Sequence, residues 1–228
     1  MVKHLIGVLL AVTPGLAFGQ STEFRFGVIA LSTRQNVLGS SGLIHNSGTL
    51  TGAEFLVRGS GPGLYGRYLT GGVGENSFRG PSGALRMAEA RVMIGSGPFS
   101  VEGGVVLRAR ASSLAKPRDA MIRLGARSSI WLGPSGFSLS LSGGALGRAD
   151  EAQGGKKWGL VGWEATTALF YQAPRKLPFY GMLGYRYERI RSEASAPPVS
   201  REELSAIVFG VGVRHVGLGG RKEVQPKT

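Results

Sequence analysis

FSVEGGVVLRARA, residues 99–111, sorts its side chains by parity. Phe99, Val101, Gly103, Val105, Leu107 and Ala109 fall on one set of alternate positions; Ser100, Glu102, Gly104, Arg108 and Arg110 fall on the other. Successive side chains of a β-strand point to opposite faces, so this is a strand with one apolar face and one polar, charged face. The pattern repeats on either side. Residues 120–132 set Ile122, Leu124, Ala126, Ile130 and Leu132 against Arg123, Gly125, Arg127 and Ser129. Residues 137–146 set Phe137, Leu139 and Leu141 against three serines, and near the C-terminus Ile207, Phe209, Val211 and Val213 oppose Ala206, Gly210, Gly212 and Arg214.

Six further segments carry the same alternation less cleanly. Phe24, Phe26, Val28 and Ala30 oppose Arg25 and Gly27; Ala53, Phe55 and Val57 oppose Glu54 and Arg58. Ala88, Ala90, Val92 and Ile94 oppose Glu89 and Arg91, with Met87 and Met93 on the inner parity. Val161, Trp163, Ala165 and Leu169 oppose Gly162, Glu164 and Thr166, and Phe179, Leu183, Tyr185 and Tyr187 oppose Gly184, Arg186 and Glu188. Residues 64–70 (LYGRYLT) are the weakest strand, and with the first segment they decide between ten strands and eight. Tight Gly- and Pro-rich connections at 59–63, 95–98, 133–136 and 173–178 alternate with longer polar ones at about 32–48, 71–82, 111–118, 148–156 and 192–201.

One parity collects the charge: Glu54, Glu89, Glu102, Glu164 and Glu188, with Arg25, Arg58, Arg67, Arg91, Arg108, Arg110, Arg123, Arg127, Arg186 and Arg214. An arginine facing lipid at the bilayer midplane costs about 2–4 kcal/mol, so mid-strand charges in a membrane strand must face inward. The N-terminus has the order of a secretory signal: Lys3 and His4, the apolar run Leu5 to Val12, Pro14, then Ala17-Phe18-Gly19. That run is too short to span a bilayer. An exported chain whose membrane-compatible pattern is alternating points to an all-β, closed antiparallel transmembrane barrel of about ten strands. A soluble sandwich would alternate too, but would place those charges in water. The expected division is a signal peptide at 1–19, the barrel at 20–220 and a polar periplasmic tail at 221–228.

In signal, alternation and loop asymmetry, residues 23–217 resemble the small bacterial outer-membrane β-barrels as a class. The resemblance implies short periplasmic turns, longer extracellular loops and insertion by the barrel-assembly machinery. It departs at the end: many such chains finish on an aromatic residue, whereas this strand runs into Gly217-Leu218-Gly219-Gly220 and a tail from Arg221 to Thr228. Recognition would then use an internal segment such as Phe209 to Val213. Phe99, Phe137, Phe179, Tyr180, Trp131 and Tyr171 flank the tight turns and are expected in an interfacial aromatic belt.

Composition narrows the functions. Glycine supplies 38 of 228 residues, well above the roughly 7% norm, and cysteine is absent, which removes disulfides and thiolate chemistry. The net charge of +13 points, in an exported chain, to lipid and lipopolysaccharide phosphates rather than nucleic acid. The omptin proteases need aspartates beside a histidine, and only Asp119 and Asp150 are present. A lipid-modifying barrel enzyme would need a serine activated by histidine; His45-Asn46-Ser47 is the local candidate, without an orienting acid, and His215 reads as interfacial. No metal or cofactor site is expected. A narrow anion-preferring pore is a second reading, since ten inward Arg exceed five inward Glu by five. The preferred reading is a non-enzymatic structural or partner-docking barrel in an envelope assembly for export, secretion or motility.

Overall fold

The computed structural model describes residues 23–39, 42–59, 61–75, 83–95, 98–111, 118–132, 136–150, 157–172, 178–191 and 199–216. Ten strands follow in order: β1 (Glu23–Gly39), β2 (Gly42–Arg58), β3 (Gly63–Glu75), β4 (Gly83–Ile94), β5 (Phe99–Ala111), β6 (Arg118–Trp131), β7 (Phe137–Asp150), β8 (Lys157–Gln172), β9 (Phe179–Arg191) and β10 (Val199–Val216). Each pairs antiparallel with its chain neighbours, and β10 closes on β1. The signal and tail expected at 1–19 and 221–228 lie outside the described residues.

The register fixes the barrel's width. Cross-strand partners run Phe24, Val57, Leu64, Val92, Gly103, Leu124, Ala145, Trp163, Arg189, Glu203 and back onto β1 at Asn36. The closure offset is therefore 12 residues (36 − 24). With ten strands at ordinary spacing and rise this gives a tilt of about 40° and a backbone radius of about 10 Å. Long side chains from opposite walls then meet at the axis.

The parity predicted from the sequence holds over most strands. Phe24, Phe26 and Val28 on β1, Val101 on β5, Leu124 and Ile130 on β6, Leu141 on β7, Leu169 on β8, Leu183 and Tyr185 on β9 and Ile207, Phe209, Val211 and Val213 on β10 are exposed outward. Glu54, Glu89, Glu102, Glu164 and Glu188 are buried inside. The segment at 64–70 is the middle of a fully paired strand. Its pattern is weak because Gly66 lies on the outward face beneath the Phe55 ring, which occupies the space a side chain there would take.

Three expectations are corrected. The long polar loop at 32–48 is instead a continuous hairpin, paired from Glu23↔Arg58 to Gly39↔Gly42. Its polar residues belong to the strands: Thr33 and Gln35 are buried inward, with Thr33 Oγ1 donating to the Gly48 carbonyl at 2.9 Å and Asn46 Nδ2 to Gln35 Oε1 at 3.3 Å. Val161, expected to face lipid, is 6% exposed and packs with Val106, Met121 and Leu146. A register shift at Leu146/Gly147 makes Leu160 and Gly162 the paired residues of β8, so Val161 is the extra residue of a bulge, and its direction changes. Trp131 and Tyr180 do not join the outer belt. Both follow the inward parity of their strands, Trp131 at the barrel mouth beneath Arg214 and Tyr180 buried against Phe170. Phe99, Phe137, Tyr171 and Phe179 are exposed on the outside, as expected.

All the tight turns share one rim, which also carries Glu23 and Val216, because every odd-numbered strand rises from it and its successor returns. Connections there take four to six residues; those on the other rim take two, six, six, seven and seven. The two rims therefore differ more in their strands than in their turns. The outward apolar band starts at the tight-turn rim, whereas β1, β9 and β10 continue past it at the other rim as Arg34, Asn36, Arg189, Arg191, Arg201 and Glu203.

Candidate functional site: a filled, ionic lumen

Parity delivers the charged side chains into one network. Glu164, on β8, accepts from Arg91 of β4 at 2.9 Å, from Arg186 of β9 at 2.8 Å and from Arg123 Nε of β6. Glu102 takes Arg91 at 3.2 Å, Arg123 at 2.8 Å and Arg127 at 2.6 Å. Glu89 takes Arg67 at 2.5 Å, Arg91 at 2.6 Å and Arg186 at 2.7 Å. Glu188 takes Arg108 at 2.6 Å and Arg186 at 3.1 Å. The Arg91–Glu164 and Arg186–Glu89 pairs join β4 to β8 and β9 across the barrel, so these pairs bridge the lumen rather than line it.

Local sequence makes room for this. Gly125 and Gly144 are direct partners on neighbouring strands, and the Arg123 guanidinium lies over both. A side chain on Gly144 would meet the guanidinium carbon at 3.0 Å, and one on Gly125 would meet Nη1 at 2.9 Å. Glu164 and Glu188 are direct cross-strand partners, a like-charge pair that would repel without the Arg186 guanidinium bonded to both.

Two further groups complete the interior. Towards the tight-turn rim, Arg25 lies 4.5 Å over the Phe170 ring and 3.6 Å from Glu54, which also accepts from the Tyr65 hydroxyl at 3.2 Å and the Tyr180 hydroxyl at 3.4 Å. At that mouth Arg214 pairs with Glu23 at 2.8 Å and Gln172 at 3.0 Å, and Arg58 lines the same opening. Against the β10–β4 wall the lumen is aliphatic: Ile29, Leu31, Leu50, Leu69, Met87 and Leu204 are at most 1% exposed. The ionic groups beside them are equally closed off, with Glu102 and Arg123 both at 0%.

All five predicted glutamates and eight of the ten predicted arginines therefore meet in ion pairs. Arg58 lies at the mouth, and the Arg110 side chain lies outside the described residues. Sequence reasoning missed Glu23 and Glu202, the latter 3.0 Å from Arg108 and 2.5 Å from Gln35. Carrying the inward parity of Arg214 back along β10 reaches Glu202, but apolar Val208 and Leu204 interrupt the polar pattern on the way. With both included, the described inner face holds nine Arg against seven Glu, a surplus of two (9 − 7), where the same nine against the five expected Glu would give four (9 − 5). The chemistry this arrangement supports is closure.

The other candidates stand apart from the lumen. His45 lies on the outward face of β2, its Nδ1 2.8 Å from Asn36 Oδ1, with no carboxylate among its described partners. His215 is exposed near the tight-turn rim, and the Asp119 and Asp150 side chains lie outside the described residues. Among the described residues no cluster could hold a metal ion.

A closed antiparallel barrel with an outward apolar band and its mid-strand carboxylates and guanidiniums buried inside is a transmembrane barrel of the outer-membrane class. On β9 the band from Phe179 to Tyr187 is nine residues (187 − 179 + 1), the length a tilted membrane strand requires. No family model matches the chain, and no curated protein matches it significantly. Among solved structures it is similar in architecture to Neisserial surface protein A (13% identity, TM-score 0.39, covering 82% of this chain and 96% of that one). It is likewise similar to an outer-membrane channel from Pseudomonas putida F1 (11%, 0.42, covering 89% and 97%). A third likeness is to outer membrane protein AlkL in lipid bilayers (11%, 0.33, covering 89% and 92%).

Proposed function

We propose that this protein is a non-conducting anchor, an outer-membrane barrel that acts through its rims and outer surface in an envelope assembly for export, secretion or motility. One observation carries the reading: ion pairs bridge the barrel wall to wall beside an aliphatic layer, leaving side chains with 0–2% exposure at mid-depth. A pore that selects ions needs charged groups in contact with water along a path. A filled lumen offers function only at the ends and outside. In-cell cross-linking followed by purification from native membranes tests this. A single envelope protein recovered in fixed ratio with the barrel is the expected result. Recovery of the barrel alone, from cells whose small-solute uptake depends on it, would overturn the anchor reading.

A further inference from the structure

Arginine on the outside of a membrane barrel requires an explanation, and four outward arginines gather on one side of the long-loop rim. Arg189 and Arg191 lie on β9, Arg201 on β10 and Arg34 on β1, three strands adjacent in the sheet. Among the described residues of this outward patch the only carboxylate is Glu203, which pairs with Arg201 and lies 3.8 Å from Arg189. Arg191 and Arg201 are direct cross-strand partners. Like charges so placed destabilise a sheet unless an anion lies between them. The cations begin just above Tyr187, where the apolar band of β9 ends, which puts them at headgroup depth.

The surface beside them is shaped. A groove of about 500 Å³ runs along the outer face from β5 to β9. Its floor is a row of small cross-strand partners, Ala126, Gly143 and Ala165, and the same row continues to Tyr187, Ser205 and Arg34. Phe99, Trp163 and Tyr187 form its walls, the last two rings 5.0 Å apart. Because the strands tilt, this row climbs around the barrel from the apolar band to the cationic patch.

We propose that this face binds a phosphorylated lipid of the outer leaflet, with its phosphates between Arg191, Arg201, Arg189 and Arg34 and an acyl chain along the Ala126–Gly143–Ala165 floor. Charge complementarity selects the headgroup, since three net positive charges (four Arg less Glu203) face a layer of phosphates. The adjoining apolar groove selects a lipid over a free anion. The proposal uses the membrane placement but not the anchoring role.

The test uses the full barrel in phosphatidylcholine nanodiscs, with and without diphosphoryl lipid A, read by Tm and by lipid retained in native mass spectrometry. A ligand that binds only the folded state raises Tm. Wild type should gain on the order of 5 °C with lipid A and retain one adduct. Arg191→Ser with Arg201→Ser should change the Tm in phosphatidylcholine alone by no more than about 2 °C, because losing the exposed Arg201–Glu203 pair offsets relief of the like-charge pair, and should lose most of the lipid A gain. Ala165→Leu, which fills the groove and leaves the cations, should also reduce the gain. Arg86→Ser removes an exposed arginine on β4, five strands from β9, and should keep it in full. An equal gain in the double variant, or an equal gain from inorganic phosphate, would overturn the proposal. A captured envelope partner or a measured conductance would bear on the anchor reading and leave these shifts unchanged.

Discussion

Replacing Glu164 with Gln tests the ionic lumen at its centre. The substitution keeps volume and one acceptor oxygen but removes the charge that serves Arg91, Arg123 and Arg186. Hydrogen bonds to charged groups are worth about 1.5–3 kcal/mol each, so three of them set a ceiling of about 9 kcal/mol. Each guanidinium keeps another partner, since Glu102 holds Arg91 and Arg123 while Glu89 and Glu188 hold Arg186. The remaining penalty is that of a buried charge left partly uncompensated, about 3–5 kcal/mol. Urea-dependent unfolding from lipid vesicles, followed by tryptophan fluorescence, measures it. Glu23→Gln at the open mouth is the control, because its pair with Arg214 is reached by water and should be worth no more than about 1 kcal/mol. A Glu164→Gln loss no larger than that of Glu23→Gln would refute the reasoning.

Three further outcomes follow from the same interior. Gly144→Ala places a methyl group against the Arg123 guanidinium and the Leu124 carbonyl and should destabilise by about 1–3 kcal/mol, whereas Gly103→Ala, which meets only a Leu124 methyl at 3.6 Å, should stay within about 0.5 kcal/mol in the same unfolding assay. Tyr180→Phe removes one of the two hydroxyls on Glu54 and should cost about 1–2 kcal/mol by urea midpoint; no change would mean that Tyr180 does not hold that carboxylate. Val161→Cys should resist a lipid-soluble thiol reagent that labels Leu169→Cys, because the bulge turns residue 161 inward; equal labelling would remove the bulge.

The fold was legible because membrane strands leave a two-residue period with a chemical contrast. Residues 99–111 and 120–132 show it in full, and Glu102, Arg108, Arg123 and Arg127 reach the lumen. What escaped the sequence has local physical causes. A bulge shifts direction without a marker, so Val161 reads as outward although it is buried. Polar strand extensions look like loops: Thr33, Gln35 and Asn46 have the composition of a loop, yet they alternate and bond across the hairpin. The aliphatic layer of Ile29, Leu31, Leu50, Leu69 and Leu204 defeats the expectation of a polar interior, because large apolar residues on both parities blur the period. Of the lumen network, the members were readable but the partnerships were not, since Arg91 and Glu164 are 73 positions apart in the chain.

Ionic current through the reconstituted protein tests the central claim, a lumen closed by its own side chains. In a planar bilayer, the unmodified barrel should give no discrete conductance steps above the protein-free baseline. Simultaneous Arg91→Ser and Arg186→Ser, which remove two guanidiniums that span the barrel, should introduce them if the variant folds. Large, stable, ion-selective steps from the unmodified protein would contradict the filled interior and the anchor reading built on it.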